Sequence, residues 1–123
     1  MRMIADIAVA LVAVLHAGFM VLEMFLWDAP TGHRVFGLSR EIMAGSRALA
    51  ANQGLYNGFL AAGLVWGLAL GQSGFAVKIF FLSCVVVAGL FGAATAKRSI
   101  LWIQAFPGAA ALALVVAAGR MPG

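Results

Sequence analysis

Hydrophobic residues fill four long runs of this chain, near residues 3–27, 48–71, 75–96 and 99–119, with polar and turn-forming residues gathered between them. Each run is about 20 residues or more, the length at which a helix crosses a hydrocarbon core. The pattern predicts an all-α fold, a four-transmembrane-helix bundle forming one domain over residues 1–123. The segment "DAPTGHRVFGLSREIMAGSR" holds Pro30, Gly32, Gly37 and the densest run of charge, which predicts the one sizeable loop. "GQSG" and "KRS" read as tight turns. Asp6 interrupts the first run, which is too long for a signal-peptide core and is followed by no small-x-small cleavage site. It is therefore predicted as a membrane helix rather than a leader.

Polar residues inside these runs fall in a pattern of their own. His16, Met20, Glu23 and Trp27 follow steps of 4, 3 and 4, which places them on one face of the first helix. A charged carboxylate facing lipid near the bilayer centre costs on the order of 2.5 kcal/mol or more, so this face is predicted to point into protein or a wet cavity. The second run opens on Asn52, Gln53, Tyr56 and Asn57, two pairs spaced i, i+4. A buried amide left unpaired costs about 1–3 kcal/mol, which calls for a cross-helix network or a ligand pocket. Gly54 and Gly58 suit close helix approach, as do Gly89, Gly92, Ala93 and Ala94 in the third run. Pro107 lies inside the fourth run, close to Gln104, and frees a backbone carbonyl there.

Composition agrees with the hydropathy pattern: 64% of the residues are hydrophobic, 10% are charged, and mean hydropathy is +1.05. The net charge of +4 is spread over helix ends rather than one patch, which argues for membrane topology and against nucleic-acid binding. Arg2, Lys78 and Arg120 fall on the side of the termini, and Arg34, Arg40, Arg47, Lys97 and Arg98 on the other. Basic residues are retained in the cytoplasm. The expected setting is a bacterial inner membrane with both termini periplasmic. Glu23, Trp27, residues Asn52 to Asn57, Thr95 and Gln104 then gather in the cytoplasmic half. The single Cys84, within "IFFLSCVVVAGLFG", is read as packing.

His16 and Glu23 are seven residues apart, about 10 Å of helix rise, too far to share one ion comfortably. With no second buried His and no cysteine cluster, no protein-ligated metal site is expected. Haem through His16 is the weaker reading of that residue, and packing across helices the stronger. Glu23 reads equally as a general acid or base, as a cation partner, or as a carboxylate paired with Arg47, Arg98 or a backbone donor.

"ANQGLYNGFLAAGL", with "GLFGAATAKR", "QAFPGAAAL" and the His16 to Glu23 face, resembles the small four-helix membrane proteins classed as domain of unknown function 1304. "SRALAANQGLYNGFLAAGLVWG" is similar, more distantly, to the second helix of the membrane-associated proteins in eicosanoid and glutathione metabolism (MAPEG). In that superfamily a basic residue and then an Asn-containing segment open the second helix, and Arg47, Asn52 and Gln53 stand at the matching positions. The resemblance implies a homotrimer of four-helix protomers that binds lipophilic molecules between protomers on the cytoplasmic side. The further Arg and Tyr positions that hold glutathione are not matched, and the acidic residue of the second-helix motif is missing, so glutathione is not implied. Asn57-Gly58 also resembles a dipeptide of styrene oxide isomerase, a haem-containing four-helix membrane enzyme, but its haem-ligating His would fall near Ala51.

The expectation is therefore a small membrane protein with a polar pocket in its cytoplasmic half, binding and in one version transforming a lipophilic small molecule or lipid. Glu23 and Tyr56 are the candidate catalytic groups, and His16, Arg47, Asn52, Gln53, Asn57 and Gln104 the candidate ligand-binding ones. No cofactor is specified. The alternatives are a small cation or drug transporter using Glu23, and a structural or accessory membrane protein whose polar residues serve packing alone.

Overall fold

Between the first two apolar runs, the chain folds further than its Gly, Pro and charge content predicts. The computed structural model describes residues 1–119, so Arg120 of the charge pattern lies outside the described residues. Helix α1 (Arg2–Met24) ends before the expected boundary near residue 27. Trp27 lies in the turn beyond it, where its indole N–H donates to the Met43 carbonyl at 3.0 Å and stands 3.1 Å from the Ser46 hydroxyl. Ala29 is extended (φ −97°, ψ 165°), the conformation favoured before a proline, and Pro30 opens α2 (Pro30–Phe36) where its missing N–H costs nothing. Gly37, left-handed at φ 65°, ends that helix by donating to the His33 carbonyl. Ser39 then caps α3 (Arg40–Gly45) by accepting from the Ile42 N–H, with Glu41 in the first turn. The expected loop is thus largely two short capped helices.

Helix α4 (Arg47–Ala69) leads through a 3-10 turn (Gly71–Gly74) into α5 (Phe75–Thr95). A π turn (Leu101–Ala105) precedes α6 (Phe106–Gly119). The Phe106 N–H reaches the Leu101 carbonyl, so the ladder changes register one residue before Pro107, which has no N–H to give. Among the described residues, three segments are long and apolar enough to cross a membrane: Arg2–Met24, Gly71–Thr95 and Leu101–Gly119. With 23 residues, α4 matches α1 in length, but Asn52, Gln53 and Asn57 lower its apolarity.

The chain divides into two compact units, the boundaries falling inside α1 and α4. The first comprises Met1–Ala13 and the chain from Ala62 onward. Its buried side chains include Val9, Leu64, Leu82, Val85, Ala111 and Val115. The two last spans run antiparallel, with Gly89 against Ala105 and Gly108 against Val85; a Cβ on Gly89 would stand 2.8 Å from the Ala105 nitrogen. Gln104 donates from Nε2 to the Val85 carbonyl at 3.1 Å.

The second unit, Val14–Ala61, pairs the end of α1 with the start of α4 and includes α2 and α3. Small residues set the approach. A Cβ on Gly54 would lie 2.7 Å from Met24 Cγ, and one on Gly58 2.7 Å from Met20 Sδ. Met43 of α3 is fully buried, and the Trp27 and Phe36 rings lie 4.6 Å apart. His33 pairs with Asp28 at 3.0 Å.

Candidate functional site

Glu23 and Asn57 meet inside the second unit. Gly54 admits α4 close to α1 between Met20 and Met24, and Asn57, three residues on, lies near the same face. Asn57 Nδ2 donates to Glu23 Oε1 at 2.5 Å, and both residues are half-buried. The stripe predicted on α1 turns inward along its length. His16 is fully buried with Phe19 edge-on at 5.2 Å, Met20 packs at Gly58, Glu23 takes the Asn57 amide and Trp27 bonds to the α3 end.

The polar opening of α4 is divided by this contact. Asn57 faces α1, whereas Asn52, Gln53 and Tyr56 are exposed, as is Arg47 at the start of the helix. Tyr56, 55% exposed, lies 6.1 Å from the ring of Phe59, itself 55% exposed, so polar and aromatic groups share this open stretch. Gln104 belongs to the other unit and is engaged with the Val85 carbonyl. Among the described residues no three His, Cys, Asp or Glu side chains stand together as a metal site. The geometry thus holds one carboxylate with one amide donor, beside a helix face carrying two amides and a phenol.

A family model described as Protein of unknown function (DUF1304) matches residues 10–116. The chain belongs to the DUF1304 family. It is 30% identical over 117 residues to "Uncharacterized protein YpaA" of Lactococcus lactis subsp. lactis (strain IL1403), an alignment covering 94% of this chain and 97% of that one. No solved structure matches it. Glu23, Asn52, Gln53, Tyr56 and Asn57 all lie within the span of this DUF1304 chain that the family model matches.

Sequence reasoning missed the pairing of Lys78 with Asp6 in this DUF1304 protein. Lys78 Nζ stands 3.1 Å from Asp6 Oδ1 in the first unit, with side-chain exposures of 7% and 40%. The signal was present, because each charge interrupts an apolar run and an intramembrane charge calls for a partner. Read one at a time, Asp6 speaks only against a leader peptide and Lys78 only for topology, and neither names the other as its partner.

Proposed function

We propose that this protein is a four-helix integral membrane protein of MAPEG-like build. It forms a homotrimer and binds a lipophilic small molecule or lipid against α4. The observation that carries the reading is the exposure of Asn52, Gln53 and Tyr56 on a helix that is apolar from Gly58 to Ala69. At about 1.5 Å per residue, its 23 residues reach across a hydrocarbon core of about 30 Å. Exposed amides within a membrane need partners, since unpaired polar groups there cost several kcal/mol. A ligand's carbonyl or hydroxyl, seated between protomers, satisfies two amides and a phenol while its hydrocarbon part meets Phe59 and Leu55. Arg47 lies at the helix start, where an interfacial guanidinium meets anionic groups. Glu23, oriented by Asn57, is the proton acceptor available if the bound molecule is transformed, and Tyr56 the donor. In this reading the helix starts Arg40 and Arg47 are cytoplasmic and the N-terminus is on the opposite side.

The test is retention of ligand by protein purified in mild detergent, read by mass spectrometry of the extract. Asn52→Leu combined with Gln53→Leu is expected to abolish a specifically retained lipophilic species while shifting the melting midpoint by less than about 3 °C, as for exposed substitutions. Unchanged retention, or a loss of stability that accounts for the loss of binding, refutes the reading.

A further inference from the structure

A second, chemically different site lies in the first unit. The start of α1, the turn before α5 and the end of α6 surround an open cavity of about 630 Å³. Its polar wall consists of Arg2, Asp6, Gln72 and Lys78, and its apolar wall includes Phe75 and Val115. Lys78 is 6% exposed, and its stem runs along Gly67, where a Cβ would stand 2.7 Å from Lys78 Cγ. Asp6 accepts from one of its three ammonium hydrogens. Among the described residues Arg2 makes no ion pair, and its guanidinium lies over Gly71, 3.9 Å from where a Cβ would be. Among the described residues, the side chains that line the cavity carry two cations, Arg2 and Lys78, and one carboxylate, Asp6.

We propose that this cavity binds an anionic amphiphile, with a phosphate or carboxylate head on Arg2 and Lys78 and its acyl chain along Phe75 and Val115. The volume falls within the roughly 300–1,000 Å³ of small-molecule sites. The lining residues come from the ends of three apolar segments, the level at which a bilayer places its charged heads. Arg2 supplies a fork of donors suited to a two-oxygen anion, and Lys78 a point charge already fixed by Asp6. Gln72 adds an amide donor at the rim. None of these residues takes part in the α4 site, so the two readings stand or fall separately.

The probes are a short-chain phosphatidylglycerol, a phosphatidylcholine of equal chain length, and decanoate. Each is titrated into the purified full chain in non-ionic detergent and counted by native mass spectrometry. At least one anionic probe is expected to bind about tenfold more tightly than the phosphatidylcholine, with Arg2→Gln erasing that preference. Asp6→Asn releases Lys78 and is expected to strengthen anion binding; if this variant does not fold, the exposed Arg2→Gln decides alone. Preference for phosphatidylglycerol identifies a membrane lipid as the source, and preference for decanoate a free fatty acid. The proposal is overturned if neither anionic probe is preferred over phosphatidylcholine, or if Arg2→Gln leaves the preference intact.

Discussion

Removing the contact between Glu23 and Asn57 gives a measurable coupling whose size follows from its setting. The bond joins the end of α1 to the middle of α4 at 2.5 Å, with both residues half-buried. In water-soluble proteins a hydrogen bond to a charged group contributes about 1.5–3 kcal/mol. Between membrane helices, double-mutant cycles average about 0.6 kcal/mol and reach about 1.7, because the unassembled helices also find partners. The membrane range governs here, and partial exposure of both groups keeps the figure near its middle, at about 1 kcal/mol. Glu23→Ala keeps the Cβ that lies against Gly54 but loses the rest of its side-chain stem along with the carboxylate, so the single variants alone do not isolate the bond. Stability of Glu23→Ala, Asn57→Ala and the double variant, measured by denaturant titration in mixed micelles, closes the cycle. The double variant is expected to lose about 1 kcal/mol less than the sum of the singles. A coupling below about 0.3 kcal/mol, the level of independent sites, would refute the reasoning.

Trp27→Phe keeps a ring against Phe36 but removes the N–H that serves Met43 and Ser46, for an expected loss of about 1–3 kcal/mol; Trp102→Phe, at a 66% exposed position, should be close to neutral in the same denaturant titration. Lys78→Met leaves the Asp6 carboxylate without its cation. A fully buried pair broken in this way costs about 3–5 kcal/mol, and the 40% exposure of Asp6 reduces that to about 2 kcal/mol, which Asp6→Asn in the same chain should largely restore. Gly74→Ala puts a Cβ onto the Gly67 carbonyl oxygen and is expected to prevent accumulation of folded protein, whereas Gly45→Ala, with nothing within 4 Å, should accumulate normally in membranes.

Apolar runs made the long helices legible, because a segment of about 20 apolar residues has few alternatives to a membrane span. The inward stripe of α1 was legible for a related reason: His16, Met20, Glu23 and Trp27 repeat at the helical period, and three of them need polar partners. Placing the end of the first helix and the start of the second at one depth brought Glu23 near Asn57, although no spacing rule said that Asn57 rather than Asn52 or Gln53 would turn toward α1. That choice rests on Gly54 and the close approach it allows. Helices α2 and α3 stay hidden when Pro30 and Gly37 are read only as loop formers and Ser39 is passed over. In place, they are a helix start, a helix stop and an N-cap. Gln104 depends on a π turn, a local change of hydrogen-bond register that periodicity does not encode. The Asp6–Lys78 pair joins residues 72 positions apart, and only the packing of the first unit brings them together.

Experimental density for the protein reconstituted in lipid nanodiscs tests the proposed binding face of α4 most directly. A map at side-chain resolution is expected to show elongated non-protein density between protomers, with its polar end within hydrogen-bonding distance of Asn52, Gln53 or Tyr56. A dry interface in which those three side chains bond only to one another or to a neighbouring protomer would contradict it.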